Sequence, residues 1–398
     1  MKKDFGMKNL PRNQLISISI KLAALLLTAS TALAAVPQTL YLFTGPPDAF
    51  LPNAGMVRDA DGNFYGTTFY GGAFNMGAVY KITPKGKETV LHSFAGGNDG
   101  AYPAAALIAG QGGKLYGTTE YGGTGTCADS QGVGCGTVFE ITEAGVEAVL
   151  YSFQGGNDGW VPNAGVIQVS NGDLYGTTNS GGPYNSGIVF HLTLSGVESV
   201  LYTFNSNIGG FAPGGLVEGN DGNFYATLGG SYGSVFKITP TGVFTTLYVF
   251  GTNPNDVAFP IGTLTKATSG IFYGTAPYGG VYGFGAVFAI TPAGAESLVY
   301  SFTGGADGSR PDSTPLITEG IIYGTTPLGG SDGFGTIFAL TKQGVFTTLY
   351  TFAQCENANG IQGVGLGLAQ GNDGYAYGVN VGACSSGDSY GSVYRIKE

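Results

Sequence analysis

The chain has 398 residues, among them 72 Gly and 18 Pro, and is 43% hydrophobic, 13% aromatic and 11% charged. Charge is less than half that of an ordinary soluble domain, yet the aromatic load argues against a disordered tract, and glycine without a G-X-Y period excludes collagen. A net charge of −10 repels nucleic acid and anionic membrane surfaces, so neither is expected as a partner.

Residues 1–34 have the form of a secretory signal peptide. Lys2, Lys3, Lys8, Arg12 and Lys21 are basic, 22–28 is apolar, and Ala32, Leu33 and Ala34 offer a small-x-small cleavage site. The apolar stretch is shorter than the roughly 20 residues of a membrane span, and no later segment replaces it. The mature chain is therefore expected to carry no transmembrane segment and to be secreted or held at the cell surface after cleavage near Ala34. Cleavage removes five basic residues and one acid, taking the net charge to about −14.

Next comes a fourth-strand type of sequence at 40–43, and then a repeat. The pattern Phe64, Tyr65, Gly66, Thr67, Thr68 recurs at 115–119, 174–178, 224–228, 272–276, 322–326 and, weakened, 376–380. An apolar-aromatic marker ending at Tyr80 and a third marker ending at Phe43 or Phe94 recur as often, so three markers each count seven. Each unit reads as four strands. A small apolar inner strand (54–57 in the first unit) is followed by the Tyr-Gly-Thr-Thr strand, a third at 79–82 and a fourth ending at Phe94. Four antiparallel strands every fifty or so residues are the arithmetic of a β-propeller blade.

The expected fold is all-β, a seven-bladed β-propeller over 35–398, with units near 53–94, 104–153, 163–204, 213–250, 260–302, 312–352 and 364–396. The last unit ends after a third-strand sequence, so 38–43 can supply its fourth strand and close the ring, protecting a sheet edge. In this reading the Tyr-Gly-Thr-Thr motif serves packing between blades, with Gly66 and its equivalents leaving room for a neighbouring ring.

The repeated Leu-Tyr-Gly-Thr-Thr, Tyr-Gly-Gly, Gly-x-Val-Phe-x-Ile-Thr-Pro and Leu-Tyr-Ser-Phe pieces, over nearly all of 40–396, resemble the GloVer repeat of exported bacterial proteins with varied anchors. The resemblance implies an extracellular or surface role and brings no established chemistry. The chain ends at Glu398 without a sorting tail, so free secretion is expected.

Catalytic signatures are scarce. His92 occupies the Tyr slot of Leu-Tyr-Ser-Phe and His191 a Lys or Glu slot, so both read as tolerated strand residues. The inner strands carry no carboxylate, Lys, Arg or His, which argues against an enzyme centred on the propeller axis. Asp-Gly pairs at 61–62, 99–100, 158–159, 221–222, 307–308 and 373–374 read as turns, because the remaining ligands of a calcium loop are missing. No metal site and no cofactor is expected. The single Trp excludes the repeated tryptophans of quinoprotein blades.

The linkers into the blades and the loops between second and third strands share one face and vary most, which makes that face the candidate for binding. Each linker ends in Pro, and the two positions before it supply Phe50, Tyr102, Trp160, Phe211, Phe259 and Arg310 as candidate ligand-binding residues. The expectation is an exported, monomeric, non-enzymatic binding or adhesion scaffold whose ligand is a glycan or an extracellular protein. The alternative is a secreted carbohydrate-active enzyme, a lyase or hydrolase, with loop-borne catalytic residues. Four cysteines in an exported chain favour disulfides. Cys127 and Cys135 lie in one expanded loop, and Cys355 and Cys384 are expected on the same face of the last blade, so the pairs 127–135 and 355–384 are predicted, neither of them catalytic.

Overall fold

The computed structural model describes residues 36–127, 134–205, 211–230, 232–352, 364–381 and 390–398. They form seven antiparallel four-stranded blades arranged in a ring, a seven-bladed β-propeller. The first blade contains Val57–Arg58, Phe64–Thr68, Ala78–Ile82 and Glu88–Ser93, hydrogen-bonded in that order. The last contains Val364–Gln370, Tyr375–Asn380 and Ser392–Lys397, and its fourth strand is Gln38–Leu42, the first strand in chain order. Gln38 faces Arg395 in this closure, and the Arg395 Nε donates to Gln38 Oε1 at 2.9 Å.

The five motif positions of the second strand are buried in every blade, which is why they carry the least variable sequence. Its Tyr packs on the Phe that opens the next blade's motif in three of the junctions. Tyr377 stacks on Phe64 at 4.0 Å, and Tyr225 on Phe272 at 4.3 Å. Its Gly sits opposite the aromatic of the third strand, where a Cβ at Gly66 would lie 2.5 Å from the Tyr80 hydroxyl oxygen. The ring admitted by this glycine thus belongs to the same blade, directly across the ladder. Its first Thr crosses to the following blade. Thr67 Oγ1 donates to the Ala105 carbonyl at 2.8 Å, Thr118 to Ala164 at 3.2 Å, Thr227 to Gly262 at 2.9 Å and Thr275 to Ser313 at 2.8 Å. The motif therefore combines three forms of packing, one per side chain.

The ladder-bonded part of the inner strands starts later than the sequence suggested. It is Val57–Arg58, Val217–Glu218 and Thr265–Lys266 in blades one, four and five, so charged residues do end these strands. The small residues just before them accept the threonine hydroxyls of the preceding blade instead of bonding a neighbouring strand.

Candidate functional site

The linkers and the loops after the second strands are paired directly, which places them on one face. Ala49–Phe50 pairs with Tyr70–Gly71, and Val257–Ala258 with Tyr278–Gly279. Single bridges join Ala101 to Tyr121, Trp160 to Ser180 and Ser309 to Leu328, and Phe211–Pro213 pairs with the end of Phe224–Gly229.

The residue before the linker proline is left-handed in five of the six linkers. Leu51, Tyr102, Val161, Phe259 and Arg310 have φ of 61°, 59°, 54°, 61° and 57°. Such a backbone costs on the order of 1–3 kcal/mol for a residue with a side chain and persists only where the surroundings impose it. Here they do. The Tyr102 N–H donates to the Met76 carbonyl at 2.7 Å, Phe259 to Tyr232 at 2.8 Å and Arg310 to Phe284 at 2.8 Å, each in the loop of the preceding blade. The proline ring then fills the space over a glycine of that blade, as Pro103 does over Gly77. The strained residue clamps two blades together and turns its side chain out of the linker.

The candidate residues consequently fall into two registers. Phe50 and Trp160 lie on the bridge-forming position, whereas Tyr102, Phe259 and Arg310 lie on the left-handed one. They do not form one ring. Phe50 and Tyr102 join a belt in which Tyr390 meets Phe50 at 5.3 Å, Phe50 stacks on Tyr70 at 5.5 Å, Tyr70 meets Tyr102 at 5.6 Å and Tyr102 meets Tyr121 at 5.9 Å. Phe69 packs against both Tyr70 and Tyr102. All six rings are half-buried, and the belt spans blades seven, one and two. Tyr70 and Tyr121 were not singled out from sequence, although the Tyr-Gly-Gly repeat marks both. Phe259 and Arg310 converge separately on Tyr278, with the Arg310 guanidinium 5.3 Å from the ring centre. The Trp160 indole donates to Asn185 Oδ1 at 3.2 Å, and its ring packs on the second-blade core. For Phe211 only the backbone is described, in the strand Phe211–Pro213. Exposed aromatics cluster in the same loops, including Phe74, Tyr184, Tyr232, Tyr278, Tyr282 and Phe284.

Two carboxyls accompany these loops. Glu120 follows the second strand of blade two, its N–H donating to the Tyr102 carbonyl at 3.1 Å, and burial pushes it up to about 7. Asp312 follows the linker Pro311 at the start of the sixth inner segment, and burial raises it to about 6. Neither carboxyl belongs to a recurring motif, so the repeat pattern does not mark them. A cleft of about 310 Å³ lies elsewhere, between blades five and six, with Lys342 as its charged wall and Tyr273, Ala289 and Leu298 among its other lining residues.

Aspartates in or beside the Asp-Gly turns are acceptors for tyrosine. Tyr65 donates to Asp59 at 2.9 Å, Tyr225 to Asp221 at 2.8 Å and Tyr377 to Asp373 at 2.7 Å. In the linkers Tyr151 donates to Asp158 and Tyr248 to Asp256, each at 2.8 Å. His191 Nε2 lies 2.9 Å from Asp173, a strand contact and not a converging site. Cys127 and Cys135 are bonded, with Cα atoms 5.4 Å apart. Cys355 and Cys384 lie outside the described residues.

Residues 27–228, 124–326 and 229–398 match the Gloeobacter/Verrucomicrobia repeat. The chain belongs to this repeat family. No curated protein matches it. Among solved structures, this Gloeobacter/Verrucomicrobia repeat protein is similar to puromycin hydrolase, with 11% identity and a TM-score of 0.53 over 83% of this chain and 50% of that one. It is also similar to the extracellular domain of a protein described as a one-component system of B. thetaiotaomicron, at 12% and 0.51, over 87% and 40% of the two chains. A luciferin-regenerating enzyme aligns at 13% and 0.46, over 91% and 96%. These likenesses are of fold. Since the two at or above a TM-score of 0.5 are a hydrolase and an extracellular domain, the propeller itself does not choose between catalysis and binding. Among the described residues no helix is long and apolar enough to cross a membrane.

Proposed function

We propose that this repeat protein is an exported scaffold that binds a neutral glycan across the belt formed by Tyr390, Phe50, Tyr70, Phe69, Tyr102 and Tyr121. The continuity of the belt over three blades carries this reading. A sugar ring presents a face of C–H groups that covers an aromatic ring, while its rim of hydroxyls needs polar partners. The belt can supply both, because its tyrosines carry hydroxyls at their ring edges and the Glu120 charge is near enough to add to burial in raising the Tyr121 phenol. Contiguous half-exposed aromatic surface on rigid loops is what recognition sites use. A mature net charge near −14 favours neutral over acidic polymers. Export is part of the reading, supported by the basic leader and by the Cys127–Cys135 bond, which persists in oxidising compartments.

A second reading, a carbohydrate-active enzyme, is favoured by Glu120 alone: a carboxyl raised to about 7 within the belt is suited to give or take a proton near neutral pH. A panel of neutral polysaccharides tests both. Binding without product, lost in Phe50→Ala and Tyr102→Ala, supports the scaffold. Release of shorter sugars that stops in Glu120→Gln supports the enzyme. Binding unaffected by either aromatic substitution overturns the belt.

A further inference from the structure

Four of the junctions between outer strands follow one plan. An outer-strand Tyr donates to the Asp of the next linker, and the first residue of the following blade's outer strand packs beside the pair. That last position is Glu88 beside Tyr41 and Asp48, and Glu198 beside Tyr151 and Asp158. It is Glu296 beside Tyr248 and Asp256, and Phe346 stacked on Tyr300 at 4.3 Å. At the junction of blades one and two the Tyr is replaced by His92.

The replacement changes the chemistry of the junction. A phenol in that slot donates one proton to Asp, whereas an imidazole offers a nitrogen lone pair. His92 Nε2 lies 3.0 Å from Asp99 Oδ1, and donor atoms of His92, Asp99 and Glu147 all lie within 4.8 Å of one another. Glu147 Oε1 is buried and accepts no hydrogen bond among the described residues. Asp99 Oδ2 is held by the Ala95 N–H at 2.6 Å, which orients the carboxylate. His92 and Asp99 side chains are 21% and 24% exposed, so water and ions reach them.

We propose that His92, Asp99 and Glu147 bind a borderline divalent cation such as Zn²⁺, with a fourth position open to water. One imidazole and two carboxylates are a donor set that suits such an ion, and three protein ligands with an open position are a familiar zinc arrangement. The Ala95 N–H on Asp99 supplies the outer contact that fixes a ligating carboxylate. On binding, the ion takes the place of the proton shared between His92 Nε2 and Asp99 Oδ1. The site is separate from the aromatic belt and stands or falls independently of the glycan reading.

The test uses the full mature protein stripped with a chelator, then titrated with Zn²⁺ by calorimetry and with Co²⁺ by visible absorption. One equivalent is expected to bind, with a rise in thermal midpoint. His92→Tyr restores the residue used at the other junctions, so it should fold normally and lose the ion. Glu147→Gln should weaken binding by at least about tenfold. Absence of stoichiometric binding by the wild-type protein, or equal binding by folded His92→Tyr, overturns the proposal.

Discussion

Thr67→Val isolates one hydroxyl that ties two blades together. The substitution keeps the branched shape and removes the donor to the Ala105 carbonyl at 2.8 Å. Thr67 is fully buried and Ala105 is 6% exposed, so water does not replace the lost partner. A net hydrogen bond contributes about 1 kcal/mol, and a buried acceptor left without its donor raises the cost to about 2 kcal/mol. Thr227 makes the same contact at 2.9 Å, three junctions further on. Sites this far apart act independently, so the double variant should lose about 3–4 kcal/mol. Thr177 reaches the Gly214 carbonyl only at 3.4 Å, so Thr177→Val should cost less than either. Urea denaturation, comparing midpoints at constant m, measures all four. Thr67→Ser, which keeps the hydroxyl, controls for the methyl group. If Thr67→Val lies within about 0.3 kcal/mol of wild type, or Thr177→Val costs as much, the hydroxyls are not the ties argued here.

Deleting 37–43 removes the outer strand of the last blade together with Phe43, which is 3% exposed and packs on Tyr80 at 5.1 Å. Burial of that ring alone is worth about 2–3 kcal/mol, so a melting point within about two degrees of the parent refutes closure by this strand. Tyr80→Phe should stabilise the protein by about 1 kcal/mol, because the buried Tyr80 hydroxyl has no hydrogen-bond partner among the described residues and Phe fills this slot in blade two; a loss of stability in the same urea assay contradicts the unpaired hydroxyl. Glu88 and Glu296 are raised to about 7 and Glu198 to about 8, by burial first and then by Asp48, Asp256 and Asp158. Their folded forms hold a proton more tightly than the unfolded chain, so this contribution is complete below about pH 4.5 and is lost as pH rises through about 7 to 8. With chelator present, the thermal midpoint should fall between about pH 5 and about pH 8, and the triple Glu→Gln variant should flatten the profile; an unchanged slope in the variant sinks the assignment.

The number of blades, the order of strands and the closing strand are legible in the sequence. They follow from alternating burial and from turn residues, which are local, and from repetition, which multiplies a weak local signal seven times. The face shared by linkers and loops was legible for the same reason, since strand order alone dictates which ends lie together. What lay beyond the sequence is how one blade meets the next. The threonine hydroxyl that crosses to Ala105, the left-handed turn at Tyr102 and the separation of Phe50 from Arg310 depend on the angle between neighbouring sheets. No segment sets that angle by itself, because it is fixed by the packing of stacked pairs such as Tyr377 on Phe64 around the whole ring. His92 shows the difference most plainly. In the sequence it is one substituted slot with no partner, and only the crossing of two outer strands brings Asp99 and Glu147 within 4.8 Å of it.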